Sequence, residues 1–278
     1  MSDAASGPRV IFLKLGGSLI TDKDHPKTSN RAAIARALGE LRKCMSRTSA
    51  TFVLTHGSGS FGHATAIAEQ FGQKAPPSVA RMLSAARIHE SVSELHRQVI
   101  QEGLRIDLPL WSLMPSQFLQ SGEEGPRASG IRSLILSLCA RGAIPTLCGD
   151  VMVHEQYGAA ICSTEPLIEV LWRDVFQPAG FRGHAVWAGT TDGLLDEAGH
   201  TVPLIASAEA QRLAGPSGSP DVTGGMALRV ATTLALARNG CESWLVNGTR
   251  PGAIASALLL PDALIPHATR VRSPDHSS

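Results

Sequence analysis

Short apolar runs that end in glycine alternate along this chain with longer segments of helical spacing. Val10–Leu13 is the first such run, followed by Lys14 and two glycines, and it reads as a buried strand entering a tight turn. Thr51–Thr55 repeats the scheme and leads into the glycine-rich stretch His56–His63. Ile144–Leu147 does so before Cys148-Gly149-Asp150, and His184–Ala188 before the turn Thr190-Thr191-Asp192-Gly193. Leu108–Leu113 and Ser243–Val246 read as further strands, and Thr269–Val271 as a last edge strand. Between these runs, Asn30–Cys44 places Ala33, Ile34, Ala37, Leu38 and Leu41 on one side, with Asn30 as its N-cap. Helices are also predicted over Ser78–Gly103, Ser129–Ala140, Glu165–Arg173, Pro251–Leu259 and from Thr223 to about residue 239. Val151–Cys162 reads as a hairpin turning near Gln156-Tyr157-Gly158, and Ala214–Pro220 as a loop rich in Gly, Pro and Ser.

Strands alternating with helices predict an α/β fold, a three-layer αβα sandwich around a mainly parallel central sheet. The 278 residues suffice for one large α/β domain or two small ones. Ligands of such sheets bind beyond the carboxyl ends of the strands, which is where the glycine turns fall. With 25 basic and 24 acidic residues the net charge is +1, so no basic surplus points to nucleic acid. The five cysteines are dispersed and form no CxxC pair, so neither a disulfide framework nor a zinc site is expected. Reduced thiols suit a cytoplasmic protein. The first eight residues do not resemble a signal peptide, and apolar stretches such as Ala253–Leu260 are too short for a membrane span.

Three glycine turns carry candidate chemistry. In Lys14-Leu15-Gly16-Gly17-Ser18 adjacent glycines let backbone N–H groups approach an anion, with Lys14 beside them and Lys23 following in Thr21-Asp22-Lys23. The plainer reading is a turn with solvated lysines. His56-Gly57-Ser58-Gly59-Ser60-Phe61-Gly62-His63 joins a strand to a helix, a geometry suited to anion binding at a helix N-terminus. His63 is a candidate donor to a bound phosphate, whereas His56 reads better as a satisfied core residue. The third turn is Asp221-Val222-Thr223-Gly224-Gly225-Met226-Ala227-Leu228-Arg229, with Arg229 able to reach back to phosphate oxygens. No GxxxxGK[ST] occurs, and the GxGxxG at Gly57, Gly59 and Gly62 sits on the second strand-turn-helix unit, unlike a dinucleotide fold.

In this order the three turns resemble the amino acid kinase family, most closely its isopentenyl phosphate kinases. The HGGGSFGH acceptor loop of that branch is matched by His56–His63 with Ser58 for the middle glycine, and DVTGGMxxK by Asp221–Arg229 with Arg for Lys. Fosfomycin kinases share the terminal histidine. The resemblance implies a single domain with an acceptor lobe over about 10–180 and a nucleotide lobe over about 181–272. It implies ATP with Mg²⁺ carried by the nucleotide, a small phosphate- or phosphonate-bearing acceptor, and a homodimer. Lys14, Lys23 and His63 would be catalytic. Gly16, Gly17, Ser18 and Ser58 would hold ATP, as would Asp192, Thr223, Gly224, Gly225 and Arg229. Gly57, Gly59, Gly62, His63 and Gly149 would hold the acceptor. The family's SGDD run aligns with Cys162-Ser163-Thr164-Glu165, and its TDVDG turn with Gly189-Thr190-Thr191-Asp192-Gly193. The lost carboxylates would leave the lysines in a more positive site. An apolar acceptor pocket would use Met82, Leu83, Ala86 and Ile88.

Overall fold

The structure, a computed structural model, describes residues 7–72, 74–206, 225–259 and 265–273. The first half runs β1 (Arg9–Leu15), α1 (Gly17–Ile20), α2 (Arg31–Met45), β2 (Thr51–His56), α3 (Gly59–Ala68) and α4 (Val79–Leu104). There follow β3 (Leu110–Ser112), the hairpin of β4 (Leu119–Gly122) and β5 (Gly125–Ala128), α5 (Arg132–Ala140) and β6 (Ile144–Cys148). A second hairpin, β7 (Asp150–His154) and β8 (Gly158–Cys162), precedes α6 (Thr164–Leu171). The remainder is β9 (Arg182–Gly189), β10 (Leu204–Ile205), α7 (Gly225–Arg238), β11 (Cys241–Asn247), α8 (Ala253–Leu259) and β12 (Ala268–Val271).

Eight strands form one sheet in the order β10-β12-β11-β9-β1-β2-β6-β3. From β11 to β3 every pairing is parallel; β12 runs antiparallel to β11. Alternation along β1 explains the layers. Val10 and Phe12 join the cluster containing Ile135 of α5, Ile168 of α6 and Val230 of α7. Ile11 and Leu13 join the opposite cluster, with Ile34 and Leu38 of α2, Leu95 of α4 and Ile254 of α8. Strands buried on both faces need helices on both faces, and the αβα sandwich is the result. As the spacing predicts, Asn30 caps α2, its Oδ1 accepting from Ala33 N at 3.0 Å.

Several elements differ from expectation, α1 and β10 among them having no counterpart in the predicted pattern. β12 is not an edge strand, because β10 pairs along its outer side. The hairpin β4–β5 was not foreseen: these strands are short and carry glycine at the turn instead of a sustained apolar alternation. It adds to the predicted hairpin β7–β8 in a second sheet of order β5-β4-β7-β8. The α5 helix starts at Arg132 rather than residue 129. The Ala214–Pro220 loop and the helix start at Thr223 lie outside the described residues.

Candidate active site

Parallel neighbours β9, β1 and β2 bring their carboxyl ends to one edge, and the first two glycine turns interlock there. A side chain on Gly17 would begin 2.7 Å from Gly59 Cα, and one on Gly57 would begin 2.8 Å from Gly17 N. Backbone lies against backbone, so only glycine fits either place. Gly59 adopts φ +50°, the left-handed region, and Thr21 Oγ1 beside it accepts from Ser60 N at 3.0 Å. Gly16 N donates to Ala188 O at the end of β9 (2.7 Å), and Gly149 N donates to His56 O (2.9 Å). Gly149 leaves open the space beside Ser58 N, which lies 3.6 Å from where a side chain would start. Among the described residues the N–H groups of Gly17, Ser18, Ser58 and Gly59 make no hydrogen bond. Open amides at a helix start form a cradle for anionic oxygens.

Lys14 sits at this cradle, almost wholly buried at the penultimate position of β1. Its Nζ donates to Glu165 Oε1 at 3.0 Å, and Arg229 Nε lies 3.8 Å from the same oxygen. Burial raises the Glu165 carboxyl, but Lys14 and Arg229 overcome this and hold it at about 2. Thr164 Oγ1 donates to Glu165 Oε2 at 3.2 Å. The carboxylates expected to be lost are absent at Thr164 and Thr190, but Glu165 still places one on Lys14. Thr164 does replace the family's first Asp, but Glu165 is one methylene longer and reaches Lys14 from the next position. The signal was present in the aligned run; the length of the side chain was what mattered. Arg229 Nη1 lies 3.5 Å from where a Gly189 side chain would begin, and its buried Nε has no hydrogen-bond partner among the described residues.

The other predicted residues are placed as follows. Gly62 packs under Ser58, where a side chain would run into the Ser58 hydroxyl. His63 is half-buried on α3. Lys23 is exposed on the turn closed by the Thr21–Ser29 bridge. Asp192 is held at about 2 by Arg250, which donates from Nε (2.7 Å) and Nη2 (2.6 Å), and by Asn247 Nδ2 (2.7 Å). It lines an open cleft of about 630 Å³ with Thr190, Thr191, Leu195, Asn247 and His267. Gly225 begins α7, while Thr223 and Gly224 lie outside the described residues. Of the expected pocket residues, Met82, Leu83 and Ala86 are exposed. Ile88 is buried in a third cluster with Phe71, Val92, Met114 and Cys148.

Two histidine contacts escaped the sequence reading, because their partners are remote in the chain. Buried Asp150, directly after Gly149, accepts from His89 Nδ1 of α4 at 2.9 Å and from Ser116 N at 3.2 Å. The Asp150 carboxylate raises the His89 imidazole. His56 is fully buried and bonded at both nitrogens, one contact being to His96 of α4, as a satisfied core residue should be.

A sequence model of the amino acid kinase family matches residues 9–171. The isopentenyl phosphate kinase of Haloferax volcanii is 34% identical over 233 residues, 82% of this chain and 88% of its own length. That of Methanothermobacter thermautotrophicus is 28% identical over 262 residues, 90% of this chain and 95% of its own. A solved isopentenyl phosphate kinase structure superposes with a TM-score of 0.77 at 25% identity, covering 95% of this chain and all of that one. The product complex of the T. acidophilum isopentenyl phosphate kinase shares the fold, with a TM-score of 0.67 at 22% identity and coverage of 95% and 100%. Matched over more than half its length by the family model, with the interlocked glycine turns around Lys14, this chain belongs to the amino acid kinase family.

Proposed function

We propose that this protein is an ATP-dependent kinase that phosphorylates isopentenyl phosphate to isopentenyl diphosphate. The observation that carries the reading is the buried Lys14 ammonium, held by Glu165 beside two turns of open amides. Its relatives of up to 34% identity bearing that activity support the choice of acceptor. The acceptor already bears an anionic oxygen near neutral pH, so no general base is needed. The work left to the protein is positioning and charge stabilisation.

ATP supplies the γ-phosphoryl group. Gly16, Gly17 and Ser18 would hold its phosphates together with Thr223, Gly224, Gly225 and Arg229, and Asp192 would border its cleft. The half-buried Arg229, whose buried Nε has no hydrogen-bond partner among the described residues, fits an anion at this place. Mg²⁺ would travel with the nucleotide. Lys14 neutralises charge that builds on the transferring group, and Lys23 adds a second cation when its turn brings it inward. His63 and the Gly57, Gly59, Gly62 and Gly149 backbone hold the acceptor phosphate. The same reading carries a homodimer acting in the cytoplasm, and a monomer mass by light scattering would remove the dimer.

Steady-state assays with MgATP and either isopentenyl phosphate or fosfomycin test the activity. Turnover of isopentenyl phosphate is expected; turnover of fosfomycin alone would overturn the reading. Lys14→Gln and Lys23→Ala should each lower kcat by about 100-fold, the usual cost of a lost charge-stabilising donor. A Lys23→Ala enzyme with unchanged kcat would remove Lys23 from the reaction.

A further inference from the structure

The loop after β2 is tied through α4 to the edge strand β3 by a directed chain of hydrogen bonds. His56 Nδ1 lies 3.0 Å from Gly57 O, His56 Nε2 lies 2.9 Å from His96 Nδ1, and His96 Nε2 lies 3.0 Å from Ser112 Oγ. A carbonyl oxygen only accepts, so His56 Nδ1 must carry its proton. Burial pushes His56 down to about 4 and His96 down to about 3, so both rings are neutral at pH 7. A neutral ring has one N–H, which leaves His56 Nε2 as an acceptor and obliges His96 Nδ1 to donate to it. His96 Nε2 is then an acceptor, and Ser112 Oγ–H donates to it. Every proton in the chain is set by its end at Gly57.

That end matters because a trans peptide plane points its C=O and N–H in opposite directions. With Gly57 O held toward His56, Ser58 N–H is turned the other way. Ser58 N–H is one of the open amides of the cradle, and it borders the gap left by Gly149.

We propose that His96 is a positioning residue that, through His56, locks the Gly57–Ser58 peptide so that Ser58 N–H faces the phosphoryl groups bound at this loop. The proposal rests on the kinase reading for the identity of those groups, but the lock itself is independent of it. The nearness of Cys148 to both imidazoles needs no metal ion, since the ring nitrogens already satisfy one another.

The test pairs His96→Leu, which removes the donor to His56 Nε2, with His96→Asn, whose amide N–H replaces it. Dissociation constants for inorganic phosphate and for ATP, and KM for isopentenyl phosphate, are measured on each. His96→Leu should weaken phosphate and raise the acceptor KM by about tenfold, the effect of one misdirected donor to a charged group. ATP affinity should fall with it, since Ser58 is also read as holding ATP, and His96→Asn should recover most of both losses. A folded His96→Leu protein binding phosphate as the wild type does would sink the proposal. Nitrogen-15 spectra of the unmodified protein decide the matter even if His96→Leu does not fold. Both rings should be the neutral Nδ1–H tautomer, whereas an Nε2–H tautomer at His56, or stoichiometric zinc in the purified protein, would overturn the chain. Absence of isopentenyl phosphate turnover in the wild type would defeat the proposed substrate alone, because phosphate binding and the tautomers still report on the lock.

Discussion

Glu165 shows how a single side-chain length decides a site. Its carboxylate, 3.0 Å from Lys14 Nζ and 3.8 Å from Arg229 Nε, holds two cations at one place while remaining ionised. Without its charge, Lys14 and Arg229 would repel each other and shift. Glu165→Gln keeps the size and removes the charge, so it should lower kcat by about 100-fold, the scale of a displacement near 1 Å at a reacting centre. The fold should survive, as read by an unchanged circular dichroism spectrum. A Glu165→Gln enzyme with wild-type kcat would make this carboxylate merely structural. At this scale Lys14 and the glycines were legible, because backbone approach demands glycine and the motif carries the lysine with it. The contact of Glu165 with Lys14 was not legible, because an aligned position says which residue is present, not how far it reaches.

Helices and strands here are positioned by contacts across the sheet as much as by their own patterns. Glu40, buried on α2, accepts from Gly252 N and Ala255 N, both at 2.9 Å, at the start of α8. A carboxylate at a helix N-terminus satisfies orphan N–H groups and favours the helix dipole. Glu40→Ala should cost about 2 kcal/mol, the range for hydrogen bonds to a charged group, read as a fall in urea midpoint with unchanged slope. A midpoint within error of wild type would show that α8 docks through Ile254 and Leu258 alone. The long elements were legible from periodicity: α2 begins within one residue of its predicted start and buries the predicted face. The hairpin β4–β5 was not, since four-residue strands gain their stability from pairing with β7 rather than from their own residues.

The whole molecule should lose stability in mild acid. His56 and His96 have folded values of about 4 and about 3, below the ordinary value of 6.5. Between those values and 6.5 the unfolded chain binds more protons than the folded one, so stability rises with pH across that window and falls as pH drops through it. His89 opposes this: raised by Asp150, it contributes stability below its unfolded value that is lost as pH climbs through the folded one. The downward shifts of the two buried rings outweigh the upward shifts of half-buried His89 and of exposed His25 beside Asp22. The urea midpoint at pH 5 should therefore lie below that at pH 7, and His96→Leu should flatten the difference. A midpoint equal at both values would mean the two imidazoles are not buried neutral.

Local residue patterns were enough to define the alternating strands and helices, the parallel sheet and the glycine turns at its carboxyl edge, because periodicity and glycine's freedom are properties of neighbouring positions. Which side chains then meet was settled only when the chain closed. Lys14 and Glu165 are 151 positions apart, His56 and His96 are 40 apart, and His89 and Asp150 are 61 apart. Hydrogen bonds over such spans depend on strand order and on the distance between layers, and neither is written in any short segment.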